Sequence, residues 1–178
     1  MIEAYLTLVQ QNGRVPTATE VAQQARYALR SVFERFTSMD ELNLSAVDHA
    51  IAQSYDDMAT AKLDAGRSAR TLCHINVRAR ICEEWLPLWR VSNALTRGQL
   101  RPALVDRLKT AHRENTAWLG DVYRPELEAM PTDQRARMLT VLAALTSFES
   151  WDLLRHASGL SLQESKQAWR DAIKRLLA

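Results

Sequence analysis

The sequence predicts an all-α fold of about nine helices: an N-terminal three-helix helix-turn-helix domain and a larger C-terminal helical bundle for ligand binding and dimerisation. Three observations carry this. Apolar residues recur three and four positions apart along most of the chain, the period of one helix face. Gly and Pro number only 5 each in 178 residues, too few for the turns of a sandwich or barrel. Apolar residues make up 47% and charged residues 25%, the usual mix of a globular chain, which excludes disorder and collagen.

Residues 2–12 place Ile2, Tyr5, Leu6, Leu8 and Val9 on one stripe, and Gly13 stops that helix. Pro16 marks a turn. Thr17-Ala18-Thr19-Glu20 then has the form of a capping box, in which hydroxyl and carboxylate satisfy orphan backbone donors reciprocally. Val21, Ala22 and Ala25 form the expected buried face of the second helix. A third helix is predicted over about Ala28–Phe36, burying Val32, Phe33 and Phe36. Ser38-Met39-Asp40-Glu41 is a second box, opening a longer helix with Leu42, Leu44 or Ser45, Val47 and Ile51 inward.

Gly66, Pro87, Gly98 with Pro102, Pro125, Pro131 and Gly159 punctuate the remainder. Helical stretches are predicted near 67–86, 87–97, 101–121, 132–157 and 162–177. The last opens on a third box, Ser161-Leu162-Gln163-Glu164. Helices as short as the first three cannot stand alone and must pack together. The division is therefore 1–45 for the small head and 46–178 for the larger part.

No apolar run is long enough to span a bilayer. The opening MIEAYLTLVQQ lacks a basic region and a small-residue cleavage site, so no secretory signal is expected. Cys73 and Cys82, nine residues apart on one predicted helix, are separated by ~13.5 Å along its axis, beyond disulfide reach. A cytoplasmic protein is expected. The net charge of +2 selects no partner.

The predicted second and third helices are joined by Ala25-Arg26-Tyr27, a helix-turn-helix layout whose second member would lie in a DNA major groove. Beside its buried face that helix offers Arg26, Tyr27, Leu29, Arg30, Ser31, Glu34 and Arg35. Arg can read guanine in bidentate fashion, and Arg, Ser, Thr and Tyr can hold phosphates. Spacing alone equally allows a small three-helix unit with a solvated charged face. The head carries Arg14, Arg26, Arg30 and Arg35 against Glu3, Glu20, Glu34, Asp40 and Glu41, a net charge of 4 − 5 = −1.

The order of residues is more specific. Gly13-Arg14-Val15-Pro16-Thr17-Ala18-Thr19-Glu20-Val21-Ala22, then ARYALRSVFERF over 25–36, then Ser38-Met39-Asp40-Glu41-Leu42, resembles the DNA-binding domain of TetR/AcrR-family transcriptional regulators. Leu145-Thr146-Ser147-Phe148-Glu149-Ser150-Trp151-Asp152-Leu153-Leu154-Arg155, with Gly159-Leu160-Ser161 after it, resembles that family's last two helices, which usually build a dimer. The resemblance implies Thr17 and Thr19 near phosphates, and Tyr27, Arg30, Ser31 and Arg35 facing the groove or its walls. Phe33, lacking a hydroxyl where the family has Tyr or Phe, is expected to pack. Three positions depart from the pattern: Arg26 stands for the turn glycine, Ala28 for the capping Ser or Thr, and Arg35 for the usual His. An altered turn is expected, because a non-glycine residue at positive φ costs roughly 1 kcal/mol.

All five tryptophans lie beyond residue 45. Trp85 and Trp89, four apart, share a helix face, as do His112, Asn115 and Trp118 at spacings of three. These aromatics are either plain core or the lining of a small-molecule site. The candidate ligand residues are Trp85, Trp89, Asn115 and Trp118. In TetR-like proteins the larger domain often holds an effector, here expected to be small and apolar or aromatic. The stripe Leu139, Leu142, Leu145, Phe148 and the face Ala168, Trp169, Ala172, Ile173, Leu176, Leu177 exceed what one side of a bundle needs. A two-fold dimer would use the excess, with Leu142, Phe148, Trp169, Ile173 and Leu176 as interface candidates.

His49, His74, His112 and His156 share no metal-ligand spacing, and His74 and Cys82 would stand ~12 Å apart along one helix, too far to share an ion. HExxH, CxxC, GxSxG and phosphate-binding glycine loops are missing from the sequence. Asp56-Asp57 and Glu83-Glu84 diverge around a helix. No enzyme activity, metal or cofactor is expected. The expected function is a ligand-responsive regulator, a homodimeric repressor on a palindromic double-stranded operator. The competing expectation is a helical ligand- or protein-binding dimer whose helix-turn-helix no longer reads DNA.

Overall fold

The computed structural model describes residues 1–61, 63–98 and 101–178, with the backbone alone at 97 and 98. The described residues contain helices and no strand. The helices are α1 (Ile2–Asn12), α2 (Ala18–Ala25), α3 (Leu29–Arg35), α4 (Met39–Ala59), α5 (Arg67–Gly98), α6 (Pro102–Val122), α7 (Arg124–Glu128), α8 (Thr132–Leu145), α9 (Phe148–Asp152) and α10 (Leu162–Leu176). A π-helical segment, Leu153–Ala157, continues directly from α9. The all-α expectation holds, with three short helices first and, after them, long helices interrupted by the five-residue α7 and α9.

The chain divides into two compact units. The first comprises Met1–Gln53 and Trp85–Lys109, the second Ser54–Glu84 and Thr110–Ala178.

In the first unit α1 packs on α2 and α2 on α3. Tyr5, Leu6 and Val9 of α1, Val21 and Ala22 of α2, Val32 of α3, and Leu42, Ala46 and Val47 of α4 are buried. The buried Asn43 amide donates to the Tyr5 hydroxyl at 2.8 Å, so neither polar group is orphaned. Gly13 ends α1 at φ 62°, where glycine meets no side-chain penalty, and its N–H bonds the Val9 carbonyl. The Thr17 box forms as expected, with both reciprocal bonds to Glu20. The Ser38 box is shifted. Ser38 Oγ accepts from the Glu41 N–H at 3.2 Å, but the Glu41 carboxylate reaches one residue further back, to the Thr37 N–H at 2.6 Å and hydroxyl at 2.7 Å.

Pro87 does not divide α5 as expected. The helix continues through it, although an internal proline removes one ladder bond and crowds the preceding turn. Trp85, Leu86, Leu88 and Val91 around it are buried, and packing of that surface offsets the local loss.

The second unit is built around Trp151 and Trp169, fully buried with ring centroids 4.5 Å apart. Each indole N–H has an acceptor: Glu83 Oε1 for Trp151 at 2.7 Å, and Ser150 Oγ for Trp169 at 3.1 Å. Ile75, Ile81, Leu119, Val122, Tyr123, Leu142 and Ile173 are buried in the same unit. The helix expected over 132–157 breaks after Leu145. Ser147 caps α9 by accepting from the Ser150 N–H. The Thr146 carbonyl left at the break accepts from Arg78 Nε at 2.7 Å. The short α7, with Pro125 in its first turn, lies where the sequence suggested only punctuation. The Ser161–Glu164 box opens α10 as expected.

Both cysteines are free thiols, Cys73 half-buried and Cys82 buried. Burial pushes the Cys82 thiol up to about 11, against a smaller opposing pull from the Arg78 charge.

Candidate nucleic-acid interface

The geometry of α2–α3 turns on Arg26. Its backbone sits at φ 57°, ψ 40°, the left-handed region where the resemblance led to a glycine. The Arg26 N–H bonds the Gln23 carbonyl at 3.1 Å, and the Tyr27 N–H bonds the Ala22 carbonyl at 2.9 Å. These are the two bonds of a Schellman motif. The expected alteration of the turn is therefore corrected: an arginine adopts the glycine conformation and the turn is kept. Among the described residues Arg26 is the sole non-glycine at positive φ.

Ala28 precedes α3 with no side-chain cap, as its methyl group dictates. Val32 is buried, while Phe36 is half-buried in extended backbone at the helix end. Phe33 is 53% exposed, which overturns the expectation that it packs. On a two-turn helix with one buried stripe, Val32 and Phe36 share the inner face, four apart. Leu29 and Phe33, also four apart, fall on the outer one. Tyr27, Leu29, Arg30 and Arg35 are exposed and Ser31 is half-buried. The Arg35 guanidinium lies over the Tyr27 ring at 5.4 Å, a cation–π contact that positions both at the end of the turn.

Thr17 is committed locally. Its hydroxyl accepts from the Glu20 N–H and donates to Glu20 Oε2 at 2.9 Å. Arg14 bonds the same carboxylate at 3.1 Å. The Arg14 bond first, and the Thr17 backbone and hydroxyl bonds next, lower the Glu20 pKa to about 2. Thr19 is exposed one residue into α2.

Of the candidate ligand residues, Trp85 and Trp89 belong to the first unit, Asn115 and Trp118 to the second. Trp85 is buried edge-on to His49 at 6.3 Å, and Trp89 is half-buried. Asn115 is buried and Trp118 half-buried, whereas His112 is exposed, off the face it was expected to share.

Sequence reasoning missed His74. It is fully buried, 5.3 Å edge-on from Trp118 and 5.5 Å from Tyr123, with Nδ1 at 2.8 Å from the Tyr123 hydroxyl. Burial first, and the Arg78 charge second, lower its pKa to about 3, so the ring is neutral. The available signal was Arg70, His74 and Arg78 spaced four apart, on one face of the helix. All three are buried.

Leu142, Trp169 and Ile173 are at most 1% exposed within the chain. They fill its own core and present almost no surface in the single chain. Phe148 and Leu176 are half-buried, and Phe148 stacks under the Arg78 guanidinium at 4.9 Å. From α8 onward the exposed large apolar side chains are Val141 on α8 and Leu153 in the π segment. Among the described residues no group of His, Cys, Asp or Glu could hold a metal ion.

No family model and no curated protein matches the chain. A solved structure does. The fold is similar to that of a transcriptional regulator from Rhodococcus sp. Rha1, with a TM-score of 0.80 at 14% identity, covering 99% of this chain and 93% of that one. At that identity the likeness is one of fold.

Proposed function

We propose that the chain is a ligand-responsive DNA-binding transcriptional regulator of the TetR/AcrR type. In this reading a homodimeric repressor holds a palindromic double-stranded operator and works in the cytoplasm. The observation that carries it is the α2–α3 pair, closed by a Schellman turn on Arg26 and presenting Tyr27, Arg30 and Arg35 outward. The likeness in fold to a transcriptional regulator supports the same reading. No described helix is long and apolar enough to cross a membrane.

Residues 1–45 form the reading head in this proposal, and 46–178 the effector and dimerisation part. Arg30 reads a base edge, Tyr27, Ser31 and Arg35 line the groove, and Thr17 and Thr19 approach phosphates at the start of α2. Asn115 and Trp118, both in the second unit, meet a small apolar or aromatic effector. Val141, Phe148 and Leu153, with Leu176 on α10, supply the two-fold interface. An effector that prefers the spacing of heads unsuited to the operator weakens DNA binding by its differential affinity for the two states.

A second reading has one observation in its favour. The head carries net charge −1, and α3 exposes Leu29 and Phe33, a surface that also suits a protein partner. Retention of pooled genomic DNA at two salt concentrations separates the readings. Sequence-selective retention is expected; no retention even at low salt would establish the second. Given retention, Arg30→Ala is expected to cost ~1–3 kcal/mol per head and relax one base position. Unchanged binding to every sequence by a folded Arg30→Ala variant would remove α3 as the reader.

A further inference from the structure

Along α5 of the second unit, three side chains able to carry positive charge lie four residues apart and are buried: Arg70, His74 and Arg78. Their charges are handled differently. Arg70 is neutralised by a two-oxygen contact to Glu126 at 2.5 and 2.7 Å and also donates to the Val122 carbonyl. His74 is neutral. Arg78 is only 8% exposed, yet it meets a carbonyl, that of Thr146, and a ring, that of Phe148. No carboxylate of the described residues makes an ion pair with it. Glu83, one of the acids close by in sequence, is taken by Trp151 and Arg155, and Glu149 is exposed. A buried charge without a counter-charge is expensive, and the cost disappears when an anion joins it.

Unsatisfied hydrogen-bonding atoms occur in the same unit. His74 Nε2, Trp118 Nε1 and Asn115 Oδ1 are buried with no partner among the described residues. The Tyr123 hydroxyl is hydrogen-bonded by Thr71 and sits beside His74 Nδ1. Burial keeps Tyr123 as a phenol, and we assign His74 the tautomer in which that O–H donates to Nδ1 and the ring proton is on Nε2. In that tautomer His74 and Trp118, with rings 5.3 Å apart, carry one unused N–H each. Asn115, one turn from Trp118 on α6, carries an unused acceptor.

We infer that Arg78, His74 and Trp118 form a recognition site for a small carboxylate with an apolar body, Asn115 accepting from a donor elsewhere on that molecule. An ionised carboxylate is acceptor-only and offers two oxygens, which matches two neutral N–H groups with a guanidinium one helical turn along α5 from His74. This rests on the effector reading and narrows it to an anion.

The test titrates benzoate, 4-hydroxybenzoate and octanoate, each against its primary amide, into the full chain, read by tryptophan emission and thermal shift. At least one carboxylate is expected to bind roughly ten- to a hundredfold more tightly than its amide, the range of a hydrogen bond to a charged group. Arg78→Met should abolish that preference and Arg78→Lys should keep most of it. If Arg78→Met does not fold, His74→Phe carries the test, because its readout is the carboxylate-to-amide ratio and not stability. Equal binding of acid and amide, binding of none of the probes, or a crystal structure at saturating carboxylate with only water at the three orphaned atoms would overturn the inference. DNA retention is measured separately. Carboxylate selectivity without DNA retention would sink the regulator reading alone, and DNA retention without carboxylate selectivity would sink this one alone.

Discussion

Arg26 occupies a conformation that costs an L-residue roughly 1–2 kcal/mol, and it does so in the turn that aims α3. Among the described residues no ion pair to Arg26 repays that cost. Arg26→Gly is therefore expected to raise the unfolding free energy by roughly 0.5–1 kcal/mol, the strain relieved less the extra backbone entropy of glycine. Urea unfolding measures this, and unchanged stability would mean that the turn is unstrained. At this scale the sequence was legible where one face decides the outcome, as for Val32, and misleading where two aromatics stood close together. Phe33 and Phe36 differ by three positions, but only the second falls on the stripe that meets α2. A helix two turns long gives periodicity too few residues to say so.

Helix starts were the most legible elements, because a cap is a bargain between neighbours in sequence. Thr17 with Glu20 and Ser161 with Glu164 needed nothing distant. These carboxylates make the caps sensitive to acid. Glu20, Glu41 and Glu164 all have pKa values lowered by the cap bonds, and Glu20 by Arg14 foremost. A lowered folded-state pKa stabilises the fold above the unfolded value near 4.5 and loses that contribution as pH falls through the folded value, about 2 for Glu20. The urea midpoint is expected to drop across that window, and Glu20→Gln should flatten part of the drop. A Glu20→Gln profile that superimposes on the parent would show that its cap carries no linkage. What the sequence hid were the elements settled by distant partners. Pro87 reads as a break, yet the apolar residues around it are buried and hold the helix together. Near Leu145 the one local signal is the Ser147 cap, and the carbonyl of Thr146 is satisfied only by Arg78, 68 residues earlier.

For the whole molecule, amphipathic pattern identified an apolar surplus in the last helices but could not divide it between core and contact face. The burial of Leu142, Trp169 and Ile173, against the exposure of Val141 and Leu153, makes that division testable. Leu142→Ala should destabilise the fold by about 2–5 kcal/mol, as truncation of a packed core leucine does. Leu153→Lys should leave folding within about 0.5 kcal/mol while converting the proposed dimer to monomer in light scattering. A Leu153→Lys protein that stays dimeric would move the interface elsewhere, and a parent that is already monomeric would remove it.

The unequal burial of Cys73 and Cys82 also equips the chain for spectroscopy. At neutral pH a thiol with a pKa near 11 has almost no thiolate and is shut away from reagents, so a maleimide dye should attach once per folded chain, at Cys73. That position immediately precedes His74 in α5. A fluorophore or spin label there would report events beside the buried histidine without any engineered cysteine.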